Sequence, residues 1–261
     1  MRRWRLIVPL LLIASQAGAR VDQSAFTELA FRQHPGAQLP LNVPLTDEAG
    51  RPVTLGRELA GQPTIFILEY LRCQNLCSLV IGGAVASLKA AQLAPGRQVN
   101  LVAVSIDPRD TVRDAAAAKA RYVQQFAGDP SAASGLHFLT GKPEEVARIA
   151  AAVGFPYRYD RASDQFLHPA GFVVTTPTGN ISRYMLGIGP APDALRAAVA
   201  EARQGAVEPP AHPLLLLCFG YDPDEGTAAA LAFRLVRYVS FAAILGLGLL
   251  IAFLSLRRRA A

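Results

Sequence analysis

Apolar residues follow two alternating spacings along the chain, one typical of buried strands and one typical of helices. Short runs rich in β-branched residues, Thr64–Tyr70 and Val99–Ile106, predict strands that are buried on both faces. Each run is followed by a longer segment with helical spacing, which predicts helices over Leu76–Ala91 and Val112–Phe126. Strands that alternate with helices of this length indicate right-handed βαβ units on a parallel sheet.

Similar patterns predict further strands and helices on both sides of these βαβ units. A β-hairpin is expected near the N-terminus, from Leu39–Leu45 and Arg51–Leu55, with a connector at Gly56–Gln62. The later elements are expected to be strand His137–Leu139, helix Pro143–Val153, a hairpin of Gly171–Thr175 and Ile181–Tyr184, and helix Asp193–Gln204. The predicted fold class is therefore α/β, a thioredoxin-like mixed sheet flanked by helices, with an N-terminal β-hairpin and a C-terminal transmembrane helix.

The two ends of the chain carry targeting signals. A basic start, a short apolar run and the small residues Ala17-Gly18-Ala19 predict a cleaved signal peptide over residues 1–19, with an uncleaved anchor as the alternative. Residues 238–256 are uncharged and long enough to cross a bilayer, although a buried core helix has the same pattern. The thioredoxin-like domain then covers residues 20–205, a linker or extension covers 206–237, and a cytoplasmic tail covers 257–261.

The net charge of +6 reflects membrane topology. Six arginines lie in the signal peptide or in the tail, and without them 20 basic residues are balanced by 20 acidic residues. The exported domain is thus neutral, which argues against a nucleic-acid partner. The arginines 257–259 place the C-terminal end in the cytoplasm by the positive-inside rule. High alanine content with only three lysines suggests a bacterial source, so the expected location is the bacterial inner membrane, single-pass, with the globular domain in the periplasm.

Cys73 and Cys77 lie where the first long strand passes into a helix. The positive end of a helix dipole favours thiolate over thiol, and the thiolate is both a nucleophile and a soft metal ligand. Three cysteines are too few for a disulfide scaffold, so a working dithiol is expected. Three intervening residues leave room for a metal between the sulfurs, and two thiolates suit Cu(I). A structural disulfide or two buried thiols are the alternatives.

Three further residues are candidates for a chemical role. His168 precedes the last hairpin, on a loop expected to lie beside the dithiol. An imidazole in that place would be a third copper ligand. The alternative is a structural role, which is the usual one for an isolated histidine. Asp107 follows a buried strand; we interpret it first as a turn or helix-cap carboxylate and second as an acid that tunes the thiols. Three roles are open for Cys218: an unpaired buried thiol, an additional thiolate ligand, or a partner in an intermolecular disulfide.

The chain resembles the Sco/SenC family of membrane-tethered, thioredoxin-like copper proteins. The matching residues are Leu45–Gly50 with Val53, the Cys73-x-x-x-Cys77 pair, Val104–Thr111, and His168 before a hairpin. The resemblance implies that Cys73, Cys77 and His168 bind copper, as Cu(I), Cu(II) or both. It also implies a partner, the copper-bearing subunit of cytochrome c oxidase or another copper chaperone. The C-terminal anchor, with Gln74 and Ser78 where the family carries prolines, indicates a separate subgroup.

Two classes of function follow from these residues. The first is a metallochaperone that delivers copper to the cytochrome c oxidase copper site, or maintains the thiols of that site. The alternative is a thiol–disulfide oxidoreductase, in which Cys73 and Cys77 are catalytic, or a redox or copper sensor without a delivery role. His168 favours the copper hypothesis, because a dithiol that only exchanges disulfides has no use for a third metal ligand.

Overall fold

The computed structural model describes residues 29–59, 61–72, 77–126, 129–209 and residue 238. The chain divides into two compact units, Met1–Glu208 and Pro209–Ala261. The predicted signal peptide and tail, and nearly all of the predicted linker and transmembrane segment, lie outside the described residues. Within the described ranges, no helix is long and apolar enough to cross a membrane.

Nine strands are described in the first unit, and five of them form the central sheet. Their bounds are β1 Pro44–Thr46, β2 Pro52–Thr54, β3 Thr64–Glu69, β4 Asn100–Ser105, β5 Leu136–Leu139, β6 Arg158–Asp160, β7 Gln165–Leu167, β8 Gly171–Thr175 and β9 Ile181–Leu186. The sheet has the order β5-β4-β3-β8-β9, in which β3, β4 and β5 are parallel, and β8 is antiparallel to both β3 and β9. The mixed sheet predicted from the sequence is confirmed, with β3 at its centre.

The helices flank this sheet. Their bounds are α1 Leu55–Leu59, α2 Cys77–Ala90, α3 Val112–Val123, α4 Ala132–Gly135, α5 Pro143–Val153 and α6 Pro192–Arg203, with a 3₁₀ turn at Gln124–Phe126. One buried apolar cluster joins α2, α3 and α6 to the sheet, and it includes Ile65 and Ile67 of β3. Because side chains alternate along a strand, residues 65, 67 and 69 share the sheet face that α2 covers.

The N-terminal hairpin forms as predicted but is shorter, with β1 paired antiparallel to β2. Leu55 begins helix α1, so the predicted connector at Gly56–Gln62 is wrong for its first residues. The sequence also gave no sign of the β6–β7 hairpin. Each of its strands has three residues, and none of the six is buried, so no alternating apolar run marks them.

Candidate metal centre

Cys77 begins the helix that follows the central strand. Strand β3 ends at Glu69, and Cys77 is the first residue of α2. Residues 73–76 lie outside the described residues, so nothing is stated of Cys73. The predicted position of the pair, between the carboxyl end of a central strand and a helix N-terminus, is confirmed for Cys77. The backbone amides at the start of this 14-residue helix favour negative charge there.

His168 lies just after β7, against the end of β3. Its ring stacks on Phe155, with 5.5 Å between ring centroids, and meets the edge of Tyr70 at 5.9 Å. Tyr70 is three residues before Cys73 in the sequence. The structure therefore brings His168 to the end of β3, while its predicted place beside the dithiol stays a prediction.

One ring nitrogen of His168 is fixed by a hydrogen bond. Nδ1 lies 3.0 Å from the carbonyl oxygen of Pro169, which can only accept, so Nδ1 carries the proton and Nε2 keeps its lone pair. Burial lowers the pKa of His168, and the Pro169 carbonyl offsets this in part. A neutral imidazole with a free Nε2 is the form of histidine that binds a metal.

The complete three-ligand set remains a prediction. In the part of the chain that the structure describes, no three His, Cys, Asp or Glu side chains are grouped to hold a metal ion. The predicted set includes Cys73, which lies outside that part. Of the other predicted residues, His168 is described with its side chain and Cys77 as the first residue of α2. Cys218 also lies outside the described residues.

An aromatic cluster packs around Phe166, next to the Tyr70 ring that His168 contacts. Phe166 of β7 lies 6.0 Å from Tyr70 and 5.3 Å from Tyr159, centroid to centroid, and Tyr157 also packs against it at 6.2 Å. Tyr70, which contacts the His168 ring, thus packs against this group in turn, and burial of the imidazole lowers its pKa. Because this cluster depends on the β6–β7 hairpin, the sequence did not reveal it.

Asp110 holds the segment that precedes Cys73. Its Oδ2 accepts hydrogen bonds from the Leu71 amide and the Ser105 hydroxyl, each at 2.6 Å, and its Oδ1 accepts from Nε of Arg72 at 2.8 Å. Its side chain is fully buried. The strand end and the loop after β4 are thus joined by one carboxylate. The sequence analysis gave no role to Asp110, which lies within the Val104–Thr111 motif, or to Arg72, which directly precedes Cys73.

Asp107 is a turn carboxylate, as first interpreted, and it also forms ion pairs. Its Oδ1 accepts from the Arg109 amide at 2.9 Å, and its Oδ2 lies 2.9 Å from the Arg109 guanidinium. Arg109 also reaches Asp164, at 2.7 Å, and lies over the ring of Tyr159. Hydrogen bonds from Tyr159 and Arg109 lower the pKa of Asp164. Arg109 therefore ties the loop after β4 to the hairpin that leads to His168.

Replacing Asp110 with asparagine is expected to loosen the segment before Cys73. The amide cannot accept all three hydrogen bonds and loses the charge that holds Arg72, so the free energy of unfolding should fall by about 1–2 kcal/mol. Chemical denaturation of the wild type and Asp110→Asn measures this. Asp193→Asn, a change at an exposed carboxylate on α6, is the control and should alter stability by less than about 0.5 kcal/mol. Equal stability of the two variants would contradict the role given to Asp110.

The described residues define a thioredoxin-like domain with Cys77 at the start of the helix after its central strand and a neutral imidazole at the end of that strand. The SCO1/SenC family description matches residues 41–204, more than half of the chain. The chain therefore belongs to the SCO1/SenC family. That family is known in copper binding and cytochrome c oxidase assembly.

Several solved structures are similar to this chain. A proposed electron transfer protein from Aquifex aeolicus VF5 is 24% identical, with 66% of this chain and 95% of that chain covered and a TM-score of 0.55. A SCO1/SenC family lipoprotein from Bacillus anthracis is 18% identical, with 64% and 96% covered and a TM-score of 0.51. ScoI from Arabidopsis thaliana, solved with copper bound, is 26% identical, with 66% and 98% covered and a TM-score of 0.48. Comparison with curated proteins gives no match.

Proposed function

We propose that this protein binds copper through Cys73, Cys77 and His168 and passes it to a partner. The observation that carries the proposal is the state of His168, which is neutral and whose Nε2 has no hydrogen-bond partner among the described residues, beside the end of β3. Membership of a family known in copper binding supports it. Two thiolates and an imidazole are soft and borderline ligands that suit Cu(I) and also accept Cu(II).

The chemistry of delivery is ligand exchange. Copper is cargo here, so each ligand must bind it and then be replaced by a ligand of the recipient. The thiolates of Cys73 and Cys77 can be replaced one at a time by ligands of the recipient, while the remaining ligands hold the copper. The His168 ring is kept in one orientation by its Pro169 hydrogen bond and by stacking on Phe155, so it needs no reordering to bind again.

The recipient that we propose is the copper-bearing subunit of cytochrome c oxidase, or another copper chaperone upstream of it. The family's link to cytochrome c oxidase assembly supports this. We also propose that the domain is exported and tethered to the bacterial inner membrane by the apolar segment 238–256. The support for the tether is the sequence pattern of that segment and the arginines that follow it.

An anaerobic Cu(I) titration of the purified full-length protein tests the ligand set. We expect about one equivalent to bind tightly, in competition with a Cu(I) chelator of known affinity. Cys73→Ser and Cys77→Ser should each weaken binding by at least about 100-fold, about 2.7 kcal/mol, because serine offers no soft ligand. Cys218→Ser is the control and should keep full affinity. If both single-serine variants bind Cu(I) as the wild type does, copper binding by this pair is refuted.

Thiol–disulfide exchange is the second candidate, either as a reductase that keeps a partner's thiols reduced or as a sensor. The observation that favours it is the place of Cys77 at the first residue of a long helix, where the thiolate is stabilised. The reduction potential of the Cys73–Cys77 pair, measured against glutathione, separates the two functions. A pair that cannot reduce a partner disulfide in its compartment has no reductase role.

A further inference from the structure

The hairpin that leads to His168 has no buried face of its own. Strands β6 and β7 form a separate two-stranded sheet, and none of their six residues is buried. A two-stranded hairpin of this kind is marginally stable by itself, so contacts with the rest of the domain must hold it in place. Because His168 directly follows β7, those contacts also decide where the imidazole lies.

The turn of this hairpin is fixed by Asp164. The backbone of this residue has a φ of 53°, a left-handed conformation that aspartate tolerates better than most residues do. Its Oδ1 accepts a hydrogen bond from the Tyr159 hydroxyl at 2.5 Å and another from Nη1 of Arg109 at 2.7 Å. The first bond closes the turn on β6, and the second joins the turn to a residue outside the hairpin.

Arg109 is held on its other side by Asp107. Nε lies 2.9 Å from Oδ1 and Nη2 lies 2.9 Å from Oδ2, a two-point contact with a carboxylate whose side chain is 2% exposed. The planar guanidinium can bond two carboxylates at once, because its donors point in fixed, different directions. It also lies 5.2 Å from the ring centroid of Tyr159, a favourable position for a cation. Arg109 thus has one contact fixed in the loop after β4 and one at the hairpin, where Asp164 is 71% exposed.

We propose that Arg109 is a positioning residue for His168, and that its contact with the hairpin sets the rate at which copper leaves. The proposal rests on the proposed function for the role of His168 as a ligand. Arg109 acts through the hairpin and not on the imidazole itself. An exposed ion pair adds little to the stability of a whole domain, but it is enough to shift a local opening several-fold.

Opening of the hairpin gives ligand exchange a defined first step. When the Arg109–Asp164 contact breaks, β6 and β7 move away from the loop after β4 and carry His168 with them. The bond between Nε2 and copper then breaks, the lone pair stays on the imidazole, and copper keeps its charge and its two thiolate ligands. A ligand of the recipient takes the vacant position. The more often the hairpin opens, the faster copper is passed on.

Hydrogen exchange of the metal-free, full-length protein tests the contact without copper. Arg109→Met keeps an unbranched side chain but has no donor. We expect the amide protons of β6 and β7 to exchange about fivefold faster than in the wild type, because the hairpin opens more often, while those of the central strand β3 keep their wild-type rate. Wild-type rates in the hairpin would overturn the proposal. Equal acceleration in β3 would do the same, since it means that the whole domain is destabilised.

Two further variants separate the hairpin contact from other effects. Asp164→Asn breaks the ion pair at the hairpin but leaves the Arg109–Asp107 pair intact, and asparagine tolerates the same left-handed backbone. It should accelerate exchange in the hairpin by about threefold. Arg97→Met is the matched control, since it breaks an exposed ion pair with Asp129, at 2.9 Å, just before β4 begins and so at the far end of that strand from Arg109. Its hairpin should exchange at the wild-type rate, and acceleration equal to that in Arg109→Met would contradict a specific role of Arg109.

The rate of Cu(I) transfer to an excess of a chelator tests the consequence for delivery. Arg109→Met should speed release about fivefold while the equilibrium affinity stays within about twofold of the wild type, because opening speeds the departure and the return of copper alike. In the His168→Ala background, Arg109→Met should change the release rate by less than about twofold, since the ligand through which Arg109 acts is absent. Equal acceleration in both backgrounds would overturn the proposal.

The two experiments can fail separately. If the wild type binds no Cu(I), the proposed function is wrong and the effect of Arg109 on copper release falls with it, while exchange in the metal-free protein still decides whether Arg109 holds the hairpin. If the wild type binds Cu(I) through His168 and Arg109→Met releases it at the wild-type rate, the ligand set stands and the role of Arg109 is refuted.

Discussion

His168→Ala is expected to weaken Cu(I) binding by at least about 100-fold, about 2.7 kcal/mol, while Cys73 and Cys77 still form a disulfide on oxidation. Of the three predicted ligands, His168 is the one whose side-chain orientation the structure describes. Its Nδ1–H is committed to the Pro169 carbonyl, so Nε2 is the atom available to the metal. Competition with a Cu(I) chelator measures the affinity, and thiol counting after oxidation checks the pair.

His34→Ala is the matched control for this variant. His34 is exposed and its backbone amide donates to the Tyr184 hydroxyl, so removing its ring should leave Cu(I) affinity within about twofold of the wild type. His168 also stacks on Phe155, and alanine there will cost some stability, so binding is measured well below the unfolding transition. Equal affinity of His168→Ala and wild type would reduce the site to two thiolates.

Gly83→Ala is expected to destabilise the domain by about 3 kcal/mol, against the usual gain when alanine replaces glycine in a helix. A Cβ at residue 83 of α2 would lie 2.0 Å from the carbonyl oxygen of Ile188 and 3.1 Å from Cα of Gly189. Both are backbone atoms of the loop after β9, so no side-chain rotation can relieve the clash. One turn further along α2, Ser87 donates to the Pro190 carbonyl at 2.7 Å and holds the loop in place.

Gly82→Ala, one residue earlier, provides the comparison. A Cβ there meets nothing within 4 Å, so the variant should be stabilised by up to about 1 kcal/mol, the ordinary difference in helix propensity. Thermal or chemical denaturation of both variants measures the change in the free energy of unfolding, which should be a loss for Gly83→Ala and a gain for Gly82→Ala. If Gly83→Ala proves as stable as Gly82→Ala, the close approach of the loop to α2 does not exist in solution.

The Arg109 contacts connect the loop after β4 to the hairpin that leads to His168. Arg109 bonds Asp107, in the loop beside the Cys73 segment, and Asp164, in the hairpin that leads to His168. The guanidinium and Asp164 are both substantially exposed, so this link is screened by solvent and adds little stability. Its effect is geometric, since it fixes the distance between the hairpin that leads to His168 and the loop after β4, whose carboxylates bind Leu71 and Arg72.

The sequence by itself determined the sheet and the place of Cys77 at the start of a helix. Apolar runs such as Thr64–Tyr70 are long and β-branched, and the segments after them carry helical spacing, so local pattern and tertiary structure agree there. The position of Cys77 at a helix start follows from that pattern, and so does the approach of His168 to the strand end, because the order of strands in a βαβ sheet is restricted.

Only the tertiary structure decided what surrounds that site. The β6–β7 hairpin has no buried residue and no apolar alternation to reveal it, yet its Phe166 packs against Tyr70, whose ring also contacts His168. Two partners of Asp110, Leu71 and Arg72, lie more than 30 residues away, and the burial of Glu69 depends on a helix packed over its strand. The charge state of each group depends on such neighbours and on the water they exclude, and neither is encoded in the residues next to it in the chain.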